Sequence, residues 1–63
     1  MSHREMYKNG YAMGYDYVAY EGGRVSECVS ELRQRGFNPR TSYAVGFIGG
    51  AKDAAGQQRK KYI

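Results

Sequence analysis

One pattern is written twice in this chain and limits its fold more than any other feature. Tyr7-Lys8-Asn9-Gly10-Tyr11-Ala12-Met13-Gly14 and Tyr43-Ala44-Val45-Gly46-Phe47-Ile48-Gly49-Gly50 share a frame of aromatic, two residues, glycine, aromatic, two residues, glycine. On a helix the two aromatics of each copy fall at i and i+4, and so do the two glycines. Glycine inside a helix costs about 0.5–1 kcal/mol relative to alanine. Four of them therefore require a compensating contact, either a close approach of two backbones or a partner against the bare chain. The frame predicts that Tyr7, Gly10, Tyr11 and Gly14 pack against Tyr43, Gly46, Phe47 and Gly50, with rings of one helix lying in the glycine groove of the other.

The remaining sequence fits helices. Ser2 stands three residues before Glu5, the capping-box spacing. Met6, Tyr7, Gly10, Tyr11, Gly14, Tyr15 and Val18 then keep helical spacing to about Glu21, leaving Tyr17 and Tyr20 off the stripe, and Gly22-Gly23 stops the run. Val25, Cys28, Val29 and Leu32 form an i, i+3, i+4, i+7 stripe on a second helix that ends at Gly36, with Phe37 placed to fold back over its last turn. Asn38 as N-cap and Pro39 at the first helical position open a third helix, with Thr41 or Ser42 as an alternative start. The resulting expectation is an all-α fold: a small bundle of three helices, roughly 5–21, 24–35 and 39–58, in a single domain covering 1–63 with a basic tail at 59–63.

At 63 residues the chain makes one domain at most, and a domain of that size buries only about 60% of its unfolded surface. Its single cysteine excludes an internal disulfide, and with His3 the only histidine, no Cys/His cluster offers a metal site. Self-association is one source of the missing stability, and a homodimer is expected. No apolar run approaches the roughly 18 residues of a membrane span, and the N-terminus lacks a signal-peptide core. A cytoplasmic setting follows as an expectation, and the free Cys28 agrees with it.

Catalysis has little to build on. Asp16, Glu21, Glu27, Glu31 and Asp53 are scattered, Cys28 lies within an apolar stripe, and the glycines form no phosphate loop. A non-enzyme with no cofactor, metal or small-molecule substrate is the expectation. Binding has more support. Ten Lys/Arg against six Asp/Glu give a net charge of +4, and seven tyrosines accompany no tryptophan. Basic residues beside exposed rings suit structured RNA, since charge holds phosphates and rings stack on unpaired bases. The candidate contacts are Arg4, Lys8, Tyr17, Tyr20, Arg40, Lys52, Arg59, Lys60 and Lys61.

The positions Gly10, Tyr11 and Gly14, followed after a connector by Tyr43, Gly46 and Phe47, resemble the ribosome modulation factor family. That resemblance implies a small basic protein of paired helices that binds the small ribosomal subunit and holds ribosomes inactive. The ribosome or its RNA is then the expected partner. Two other readings stand beside it. A small phage- or mobile-element-type inhibitor would use tyrosine and arginine anchors to block a host protein. A helix-turn-helix DNA binder would use Gly36 as its turn glycine, although Tyr43, Ala44, Val45, Gly46 and Phe47 offer few base-reading groups.

Overall fold

The computed structural model describes residues 2–60, with the side chains of 58–60 outside that description. It is all-helical among the described residues. Helix α1 spans His3–Ala19, a single 3-10 turn spans Val25–Glu27, α2 spans Cys28–Gln34 and α3 spans Ser42–Lys60. No helix among the described residues is long and apolar enough to cross a membrane.

Each boundary has a local cause. The Ser2 hydroxyl accepts from the Glu5 amide at 3.2 Å and starts α1 two residues before the expected position. At the other end the Asp16 carbonyl accepts from both Tyr20 and Glu21, and the chain turns out through Gly22 at a φ of 74°. Glu21, expected inside the helix, lies beyond it. The expected second helix over 24–35 is shorter. No side chain caps it at Arg24, the Glu27 amide closes back on the Arg24 carbonyl in a 3-10 turn, and α-helix begins only at Cys28. Its C-terminus follows expectation: Gly36 takes a φ of 87°, and the amides of Gly36 and Phe37 reach the carbonyls of Arg33 and Leu32. That is the paired hydrogen bonding of a Schellman motif.

Asn38-Pro39 does not open α3. The Asn38 side chain accepts from the Arg40 amide at 2.9 Å and its carbonyl accepts from the Thr41 amide, a self-closed turn. Thr41 is the cap, its hydroxyl accepting from the Ala44 amide at 3.2 Å. The helix backbone then continues through Arg59 and Lys60, the first two residues of the expected basic tail, while Lys61 lies outside the described residues.

Helices α1 and α3 pack together and run parallel. A side chain added at Gly10 would collide with the Tyr43 carbonyl, one at Gly14 with that of Phe47, one at Gly46 with that of Tyr7 and one at Gly50 with that of Tyr11. The contacts are reciprocal. The same offset (43 − 7 and 46 − 10 both give 36) carries each residue of one set onto its counterpart in the other, as in a two-fold interface between identical helices. Backbone carbonyls, and not rings, lie over the glycines. The rings are displaced to the two flanks of the helix pair.

One flank is covered. Leu32 and Cys28 of α2 join Val18, Ala44, Phe47, Ala51 and Ala54 in the core. Tyr17 packs on Phe47 with centroids 5.5 Å apart, and Phe37 stacks on Tyr43 at 4.1 Å with planes 11° apart. Arg35 closes this flank. Its guanidinium lies 5.2 Å from the Phe47 centroid and 5.8 Å from that of Tyr17, and it pairs with Glu31 at 3.1 Å and Glu21 at 3.6 Å. Tyr17 is thus a core residue and not an accessible ring, since Phe47 packs against it and the Arg35 guanidinium lies over it. Val29, expected on the apolar stripe of the second helix, is instead exposed, and so is Val45. The short α2 buries only the narrow side carrying Cys28 and Leu32, and Val45 faces away from both neighbouring helices.

Candidate functional site: the open tyrosine flank

The other flank of the α1/α3 pair is built from a four-residue repeat. Tyr7, Tyr11 and Tyr15 succeed one another at one side of α1, and Gly49, Asp53 and Gln57 do so on α3. Because the helices are parallel, the two series stay in register. The Tyr11 hydroxyl donates to Asp53, and the Tyr15 hydroxyl donates to the Gln57 side-chain carbonyl. At the third rung, the Tyr7 hydroxyl lies 3.3 Å from where a side chain on Gly49 would begin, and Gly49 has none. The flank stays open, with Tyr7 41% exposed and Asp53 and Gln57 both exposed.

The bond to Asp53 holds the Tyr11 phenol above its ordinary pKa, with desolvation a second cause in the same direction. On the covered flank burial raises Tyr17, and burial followed by the nearby Glu31 charge raises Cys28. Burial acts to lower Arg35, but its bond and charge pairing with Glu31 and Glu21 outweigh that and raise it, so it stays a cation.

Among the described residues the ion pairs engage Arg24 and Arg35, both on the covered side with Glu21, Glu27 and Glu31. Arg4, Lys8 and Lys52 are exposed and have no carboxylate within ion-pair distance among those residues. Arg4 precedes Tyr7 by three residues and Lys8 precedes Tyr11 by three, so both edge the tyrosine stripe. Lys52 follows Gly49 by three on the facing helix. Of the sequence candidates, Arg4, Lys8 and Lys52 thus lie exposed on the two helices that carry this flank. Tyr20 is 80% exposed but lies nine residues from Tyr11, half a turn out of phase, and shares the opposite stripe with Met13. Arg40 is exposed in the turn before α3. The side chains of Arg59 and Lys60, and all of Lys61, lie outside the described residues.

Sequence reasoning missed Asp53, Gln57 and Gly49 as parts of this flank. The four-residue spacing of both series was the available signal, but it pairs the rungs only once the helices are known to be parallel.

Among the described residues, helices α1 and α3 with their open flank define a small all-helical protein that presents a polar, tyrosine-lined face edged by cations with no ion-pair partner. Among the described residues no group of His, Cys, Asp and Glu side chains could hold a metal ion. No protein-family model, curated protein or solved structure matches the chain.

Proposed function

We propose that this is a non-enzymatic RNA-binding protein of the cytoplasm, with the ribosome as the favoured target and modulation of its activity as the outcome. The observation that carries the reading is the set of unpaired cations, Arg4, Lys8 and Lys52, along an open flank of tyrosines. Cations at such spacing neutralise phosphates, and exposed rings accept unpaired bases. The net charge of +4 gives the whole molecule the matching sign. The ribosome is favoured over other RNA by the resemblance of the glycine–aromatic frames to the ribosome modulation factor family. In this reading the frames hold α1 on α3 through the glycines, and Arg59, Lys60 and Lys61 contribute to the positive charge that the RNA neutralises.

A second reading rests on the opposite stripe. Met13 and the highly exposed Tyr20 form an apolar edge away from the cations, which suits a homodimer contact or a blocked host protein. Pull-down from cell lysate, with and without nuclease and at two salt concentrations, separates the readings. About four phosphate contacts make affinity fall steeply with salt, whereas an apolar protein interface holds. Ribosomal subunits recovered only at low salt are the expected result. A single protein retained through nuclease and high salt would overturn the RNA reading.

A further inference from the structure

The tyrosine ladder has two closed rungs and one open one. Tyr15 has Gln57 and Tyr11 has Asp53, but opposite Tyr7 the acceptor-bearing side chain is replaced by Gly49. The Tyr7 hydroxyl has no hydrogen-bond partner among the described residues, and its ring is held in place by Tyr11, with centroids 6.3 Å apart. Gly49 also lacks the reason its neighbours have. Side chains at Gly46 and Gly50 would strike the α1 backbone, whereas one at Gly49 would meet side-chain atoms alone, the Tyr7 hydroxyl at 3.3 Å and the Tyr11 ring edge at 3.9 Å. Helix propensity disfavours glycine there, and no approach of the α1 backbone requires it.

We propose that the Gly49 gap is a phosphate site, and that its occupant is a backbone phosphate of RNA. A non-bridging phosphate oxygen takes the place of the missing side-chain acceptor and receives the Tyr7 proton donor, while the bare Gly49 backbone leaves room for the group. Arg4, three residues from Tyr7, and Lys52, three residues from Gly49, supply the charge, with Lys8 one turn further along α1. Charge selects this occupant over a second copy of the chain. Two such flanks face to face would bring two sets of three cations together, whereas a polyanion neutralises all three. Asp53, one turn from Gly49, accepts from Tyr11, and its single negative charge is outweighed by the three cations.

The inference rests on the RNA reading above, and its test separates the two. The probe is a fluorescein-labelled RNA hairpin with a single-stranded loop, titrated by fluorescence anisotropy against the full chain, Gly49→Asn and Tyr7→Phe. Gly49→Asn closes the third rung with an amide carbonyl and leaves net charge unchanged, and Tyr7→Phe keeps the ring but removes the donor. Each variant should keep the helical circular dichroism of the parent, with Gly49→Asn melting no lower, and each should bind the hairpin about tenfold more weakly, the scale of one charge-assisted hydrogen bond. If the parent binds the hairpin and both variants bind it equally well, the gap is not the site and the RNA reading stands. If the parent fails to bind, the RNA reading and the site fall together.

Discussion

The carbonyl of Tyr43 occupies the position where a side chain on Gly10 would begin, and the carbonyl of Tyr7 does the same at Gly46. This exchange lets two parallel helices approach until no Cβ fits between them. It also fixes what each flank becomes. With backbones in contact, the rings of both helices are forced sideways, into a covered cluster around Phe47 on one side and, on the other, a ladder that runs from the exposed Tyr7 to the half-buried Tyr11 and Tyr15.

Arg35 holds the covered flank shut. It lies over Phe47 and Tyr17 and binds Glu31 and Glu21 at once. Replacing it with alanine removes a cation–π contact and an ion-pair network, and the loss should be about 1–2 kcal/mol in urea unfolding. Arg35→Lys should recover little of it, because an ammonium cannot span two rings and two carboxylates as a planar guanidinium does. Recovery of full stability by lysine would show that charge alone matters there.

Alkaline pH should weaken the fold before it weakens the helices' intrinsic propensity. Tyr11, Tyr17 and Cys28 all have pKa values raised in the folded state. A raised folded pKa means the native state holds its proton more tightly, so the stabilisation is complete below the unfolded pKa and is lost as pH rises past it. The window therefore opens near the ordinary cysteine value of about 8.5 and deepens above the tyrosine value of about 10. Melting temperature measured from neutral pH upward should fall through this range, and Tyr17→Phe should fall less steeply than the parent. A Tyr17→Phe curve parallel to the parent would remove burial of that phenol as a cause.

Much of this was legible in the sequence, and what was not has physical reasons. The duplicated frame announced two related helices in contact, and Gly36 and Phe37 announced the end of α2. The Glu31–Arg35 pair was readable from its i, i+4 spacing, and the structure has it at 3.1 Å. The burial of Tyr17 is hidden from the sequence because it depends on Phe47 of α3 and on Arg35 after α2, contacts between distant parts of the chain. Asn38-Pro39 imitates a helix start, but a side chain that can bond its own neighbouring amides competes with the helix, and here the turn wins. The open flank was hidden for a different reason. Tyr11 and Asp53 are 42 residues apart, and only the parallel direction of α1 and α3, which local spacing does not encode, brings them together.

The central claim is that the glycines of the frame are there for backbone contact, and one pair of substitutions tests it most directly. Gly46 and Gly56 lie on the same helix, ten residues apart, and both are changed to alanine. At Gly56 nothing lies within 4 Å of the new methyl group, so helix propensity should raise stability by about 0.5–1 kcal/mol. At Gly46 the methyl group meets the Tyr7 carbonyl, so the helices must separate and stability should fall by about 1–3 kcal/mol or more. Thermal melts of the two variants beside the parent should therefore move in opposite directions. A Gly46→Ala variant that melts as high as Gly56→Ala would contradict the account.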